Sequence, residues 1–218
     1  DNIVKFVSEN ISHDISPVEM CSRILNAVDA LYMGEIGDDS TVCAIRFKES
    51  NPVTIMIGPP INPELDPIVV DKLAQSRGIK VVCGGTTSQI VSSHTGEQLS
   101  VTLNYENPGI PPAADIKGID LVTEGVLTIG KTLDMIKRFP YMNRSEKVIA
   151  LSKKDAASRL VRILLEESTE VRFLVGRAIN PAHQNPEMPI SLGLKLNLIK
   201  EMKAELEKIG KIVNIEYF

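Results

Sequence analysis

Cysteine is scarce in this 218-residue chain. Cys21, Cys43 and Cys83 are odd in number, far apart and never in a CxxC pair. That argues against a disulfide framework and against a structural zinc site, and it fits a reducing cytoplasm. Positive charge is not in excess either. Against 28 Asp and Glu stand 24 Lys and Arg, a formal net charge of −4, and aromatic residues make up only 4%. With no basic run interleaved with aromatics, nothing is available to neutralise a phosphate backbone, so nucleic acid is not expected as a partner. Long hydrophobic runs are missing as well. The apolar stretches are short and interrupted, and the first residues show no charged segment leading into a hydrophobic block. The expectation is a soluble, unexported, cytoplasmic chain with no membrane partner.

Hydrophobic residues, at 43%, are numerous enough for one substantial core, or for one domain with a fragment of another attached. The opening DNIVKFVSENIS reads as a short amphipathic helix with Ile3, Val4, Phe6 and Val7 apolar. It begins abruptly, as if the chain started within a domain. In SPVEMCSRILNAVDALYMG, Ser16 is placed to cap, Pro17 to take the first helical position, Glu19 to complete a capping box and Gly34 to end the helix. Cys21, Ile24, Leu25, Val28 and Leu31 fall at helical spacing, so one face needs a packing partner. TVCAIRF (41–47) then alternates as a half-buried strand does. Two helices and one strand cannot make a core alone.

Beyond the polar break Glu49-Ser50-Asn51-Pro52, strands and helices alternate. VTIMIG (53–58), KVVCGG (80–85), IDLVTEG (119–125), EVRFLVG (170–176) and IVNIEYF (212–218) read as strands. LSVTLNY (99–105) reads as a strand of a side hairpin. The intervening segments read as helices, among them PELDPIVVDKLAQSRG, TTSQIVSSHTG, VLTIGKTLDMIKRF, KKDAASRLVRILLEEST and KLNLIKEMKAELEKIG. Such alternation implies right-handed crossovers and a mostly parallel sheet. Residues 53–218 are therefore expected to form an α/β domain with a doubly wound, Rossmann-like sheet and helices on both faces. Residues 1–48 form a separate preceding piece.

Two adjacent carboxylates, Asp38 and Asp39, stand at the mouth of the first expected strand, where like charges repel. The order helix, capped helix, glycine, Asp-Asp-Ser-Thr and apolar strand resembles the C-terminal end of a PPM-type (protein phosphatase 2C) domain of the stage II sporulation protein E (SpoIIE) branch. The resemblance covers about the first 47 residues. It implies a helix-helix-strand remnant of a metal-dependent serine/threonine phosphatase, with Asp38 a ligand of a binuclear Mn2+ or Mg2+ centre and Asp39 in the variable second position. A phosphoprotein would be the substrate of the complete phosphatase. The family's acidic ligands on earlier strands have no counterpart upstream of Asp38, so this chain alone is not expected to be a competent phosphatase. Read without the family, GDDS is a helix-to-strand turn.

A ligand pocket is suggested by recurring punctuation at strand ends. IMIGPP, VCGG, VTEGVLTIGKT and LVGRAINPAHQNP put Gly or Pro where open α/β sheets bind ligands. In KVVCGGTTSQIV, Gly84 and Gly85 allow close backbone approach, and Thr86, Thr87 and Ser88 open a helix whose N–H groups favour an anion. The bland alternative is a tight turn with a Thr helix cap. Glu124 lies at a strand end, and Asn180, His183, Gln184 and Asn185 lie in the longest polar loop. Lys131 and Thr132 read as helix interior, His94 as a partner of a helix dipole, His13 as loop and Cys83 as packing. His183, held between Pro181 and Pro186, is a possible acid or base. Two functions remain open. One is a regulatory module binding a small anionic ligand beside the phosphatase piece. The other is a stand-alone ligand-binding domain or enzyme with its site at the GGTTS and NPAHQNP loops. The apolar faces of residues 1–48 also make a homodimer an open expectation.

Overall fold

The computed structural model describes residues 2–10, 15, 17–33, 35, 37–47, 49–101, 114–178 and 192–218. It divides into two compact units, Asp1–Glu49 and Ser50–Phe218, with the division inside the polar break read from sequence.

In the first unit, α1 (Asn2–Asn10) and α2 (Pro17–Leu31) are the two expected helices. No residue of either helix is buried. The cap Ser16 and the stop Gly34 lie outside the described residues, as does His13. Residues 41–47 correct the expectation of a strand: they carry no regular structure. An extended segment becomes a strand only when a neighbour takes its N–H and C=O groups, and no second strand exists among the described residues of this unit. The period-two pattern nevertheless survives, with Val42 and Ala44 half-buried between exposed Thr41, Cys43 and Ile45. Within the unit, Cys21 Sγ lies 3.7 Å from the Val42 carbonyl oxygen, and Arg46 Nη1 donates to the Ile15 carbonyl at 3.4 Å.

The second unit is built on a seven-stranded sheet. Its strands are β1 (Val53–Ile57), β2 (Ile79–Cys83), β3 (Ser100–Val101), β4 (Ala114–Asp115), β5 (Leu121–Thr123), β6 (Glu170–Val175) and β7 (Ile212–Tyr217). The order across the sheet is β3-β4-β5-β2-β1-β6-β7. From β5 to β7 all pairings are parallel, while β3 and β4 add an antiparallel edge. The expected strand 99–105 is thus represented by β3, and residues 102–113 lie outside the described residues. β1 lies between β2 and β6 and is buried along its whole length. A parallel strand covered on both faces requires that continuous apolar run, which VTIMI supplies.

The helices are α3 (Asp66–Ala74), α4 (Gly85–Thr95), α5 (Val126–Arg138), α6 (Arg144–Ser152), α7 (Ala156–Arg162) and α8 (Leu192–Lys208). They cover both faces, as alternation along the strands demands. Ile55, Val81, Leu121 and Phe173 pack with Ile129 and Leu133 of α5, Leu160 of α7, and Ile199 and Met202 of α8. Met56, Val82, Val122 and Leu174 face the other way, toward Val69, Val70 and Leu73 of α3 and Val91 of α4. Helix α6 was not anticipated, although its signal is present in the sequence. Asn143 and Glu146 form a reciprocal capping box, Asn143 Oδ1 accepting from the Glu146 amide at 3.0 Å and Glu146 Oε2 from the Asn143 amide at 2.8 Å. After α7 the chain continues through one π turn, Ile163–Glu167, which keeps Ile163 and Leu164 in the core.

The register of β6 and β7 puts Leu174 beside Glu216. The Glu216 carboxylate accepts from Lys72 Nζ of α3 at 2.7 Å and from Arg172 Nε of β6 at 2.6 Å. The hydrogen bond from Lys72, then those from Arg172, hold its carboxyl below the ordinary value of 4.5 against an opposing effect of burial. A carboxyl lowered on folding stabilises the native state above its unfolded pKa, and that contribution is lost as pH falls through the folded value. For pairs this exposed it amounts to about 1 kcal/mol. Glu216→Gln is therefore expected to cost about that much at pH 7 in a denaturant titration. The difference from the parent should be lost as pH falls through the lowered pKa of Glu216; a difference independent of pH would show that the ion pairs are not its source.

Candidate functional site

The strand order reverses once, between β1 and β6. β2 and β5 follow β1 in one direction across the sheet, and β6 and β7 lie in the other. The connections leaving β1 and β6 pass to opposite faces of the sheet, and in open α/β sheets it is outside the carboxyl ends of strands at such a reversal that ligands bind.

Backbone closeness shapes that place. Beyond β6, the Gly176 amide donates to the Ile57 carbonyl of β1 at 2.9 Å, and the Ala178 amide donates to Pro59 O at 3.1 Å. A side chain at Gly176 would overlap the carbonyl oxygens of Pro59 and Gly58, so glycine is required for the two strand ends to meet. Lys195, from the first turn of α8, reaches this junction. Its Nζ donates to Gly176 O and stands 2.6 Å from where a Cβ on Gly58 would lie. Burial pushes the Lys195 ammonium below its ordinary pKa, and no carboxylate pairs with it among the described residues.

On the other side of β1, the ends of β2 and β5 meet. The Gly84 amide donates to Thr123 O at 2.9 Å, and a Cβ on Gly125 would sit 3.4 Å from Gly84 Cα. Gly84 has φ +112, a conformation that suits glycine, and it is the N-cap of α4 without any side-chain cap bond. The Thr cap considered from sequence is therefore replaced by glycine. Thr87 and Ser88 point into the structure, buried, and Ser88 Oγ donates to Gly84 O at 2.8 Å. Gly85 and Thr86 are exposed. Glu124 is half-buried just past β5, and its Oε2 is buried with no hydrogen-bond partner among the described residues. Thr128 Oγ1, in the first turn of α5, is in the same condition.

The other side chains singled out from sequence fall away from this junction or into supporting roles. Burial, above all, raises the Cys83 thiol to about 12; a hydrogen bond with Thr123 opposes the shift and the Glu124 charge adds to it. At neutral pH that thiol carries no thiolate, so it is a packing residue. Lys131 is half-buried on α5, and Thr132 Oγ1 donates to Thr128 O at 2.8 Å. His94 Nδ1 lies 2.9 Å from Ile90 O in the last turn of α4. Asn180, His183, Gln184 and Asn185 lie outside the described residues.

Asp38 and Asp39 are exposed, and Asp38 Oδ1 accepts from the Asp39 amide at 2.8 Å. Among the described residues no three His, Cys, Asp or Glu side chains are grouped to hold a metal ion. A hard divalent ion takes six or more oxygens, so the described carboxylates here supply only part of a shell.

Lys195 was not foreseen, since nothing in KLNLIKEM distinguishes it from any exposed helical lysine. The glycines at positions 58 and 176 were visible as punctuation, but not their contact. Gly176→Ala is expected to lower stability by about 2 kcal/mol or more, because rigid backbone must move to accommodate the methyl group. A chemical-denaturation midpoint equal to that of the parent would mean that the β1 and β6 ends can separate at little cost. Compared with protein-family models, with curated proteins and with solved structures, the chain gives no match in any of the three.

Proposed function

We propose that residues 53–218 form a binding module for a small anionic ligand, held across the carboxyl ends of β1, β2, β5 and β6, and that it regulates the phosphatase-type piece before it. The observation that carries this reading is Lys195. Helix α8 brings an ammonium to the point where the strand order reverses, at a cost in solvation that burial makes plain, and no carboxylate is paired with it among the described residues. A cation held this way gains most from an incoming phosphate or carboxylate. Backbone amides past Gly84 and Gly125, at the starts of α4 and α5, add partial positive charge along the same edge.

The test is thermal unfolding of the chain with inorganic phosphate and a panel of phosphorylated and carboxylated metabolites. A ligand at a hundredfold excess over its Kd stabilises by about 2.7 kcal/mol, a readily measured shift. Lys195→Met should weaken binding roughly tenfold to a hundredfold, the worth of one hydrogen bond to a charged group. No shift with any anion, or equal shifts in Lys195→Met, would overturn the reading.

The second part of the proposal concerns residues 1–48, read from the GDDST motif as the end of a SpoIIE-type phosphatase domain with Asp38 as an Mn2+ or Mg2+ ligand. The full-length gene product should then hydrolyse a phosphoserine peptide in the presence of Mn2+. Asp38→Ala should reduce that rate by about a hundredfold or more, since even groups that only orient a metal ligand are worth ten- to a hundredfold. Undiminished activity in the variant would make Asp38 and Asp39 a turn.

A further inference from the structure

The carboxyl edge of the sheet carries two unlike polar groups, and together they narrow the class of ligand. At the β1 and β6 ends stands Lys195, a donor that offers positive charge. At the β5 end stands Glu124, an acceptor whose buried Oε2 finds no partner among the described residues. A buried carboxylate oxygen without a hydrogen bond is costly, and such atoms are normally satisfied by protein or water. β5 and β1 are separated by β2 alone, so their ends lie two strand spacings apart, about 10 Å. Between them the backbone is punctuated by Gly58, Gly84, Gly85 and Gly125, none of which carries a side chain into the space above the strand ends.

Resting on the reading of this edge as an anion site, we propose that its ligand is a small anion bearing hydrogen-bond donors at its far end. The anionic group sits on Lys195 and the donors on Glu124. A simple anion brings no donor to the Glu124 oxygen, and a second negative group at that end would be repelled by it. Hydroxyl groups or an ammonium meet the requirement of a carboxylate, which only accepts. A phosphate or carboxylate on a short scaffold with such donors can bridge the two strand spacings. An apolar tail cannot satisfy Glu124.

Three probes separate the cases: propyl phosphate, which has the anion and no donors; ribose 5-phosphate, with hydroxyl donors; and 3-aminopropyl phosphate, with an ammonium. Affinities are measured by calorimetry on the whole chain, for the parent, Glu124→Ala and Glu124→Gln. Far-UV circular dichroism and melting of each variant establish that it is folded, and the isosteric Glu124→Gln serves where the alanine variant is not. The expected result is that a donor-bearing phosphate binds roughly tenfold to a hundredfold more tightly than propyl phosphate. Glu124→Ala should erase that preference, so that the three probes bind the variant with equal affinity. Glu124→Gln keeps an acceptor oxygen without charge, so it should retain part of a hydroxyl preference and lose an ammonium preference, which identifies the source of the donors. Equal affinities for all three probes in the parent, or a preference that survives Glu124→Ala, would overturn the inference while leaving the anion site standing. Absence of binding by all three phosphates would overturn this inference, and the anion site falls with it only when the wider panel of phosphorylated and carboxylated metabolites also gives no thermal shift.

Discussion

Burial of β1 between β2 and β6 is the constraint on which the rest of the α/β unit depends. Once VTIMI is paired in parallel on both edges, every polar backbone group of that strand is committed to its neighbours. Parallel pairing then needs a crossover for each return, and the crossovers place helices on both faces. Side chains that alternate along the strands feed two separate apolar layers, one under α5, α7 and α8, the other under α3 and α4. The same pairing forces a reversal of strand order between β1 and β6, and with it the junction where Gly58, Gly176 and Lys195 meet.

Charge is treated differently at the two ends of the unit's solvation range. Glu216 sits between Lys72 and Arg172 on partly exposed ground, where opposite charges hold it ionised and solvent screens the gain. Among the described residues, Lys195 loses water without gaining a carboxylate, and Glu124 buries an oxygen without gaining a donor. An arrangement that served stability alone would pair or remove such groups. Both lie along the carboxyl edge, where the strand topology already favours a ligand.

Residues 1–49 show what happens to a strand-like sequence pattern when the described residues around it offer no strand to pair with. TVCAIRF alternates as a strand would, yet stays unpaired because the described part of its unit holds no other strand. Its neighbours Asp38 and Asp39 are correspondingly exposed, one carboxylate holding the next amide. Propensity proposes an extended conformation; only a hydrogen-bonding neighbour turns it into sheet.

Local sequence determined the element types of the α/β unit. The apolar runs around Ile55, Val82 and Phe173, the 3.6-residue spacing in α5 and α7, and the glycines after strands are short-range signals, and short-range physics suffices to read them. Even α6 carries its own local signal, the capping box of Asn143 and Glu146. Glu124 and the Gly84 turn were likewise legible as strand-end residues. What tertiary structure alone decided is which ends become neighbours: that Gly176 meets Pro59, that Gly84 meets Gly125, and that Lys195, one lysine among many, arrives at the reversal point. Gly176 and Pro59 lie far apart in the chain, Gly84 and Gly125 at the ends of neighbouring strands, and no local pattern encodes a distance that the order of strands creates.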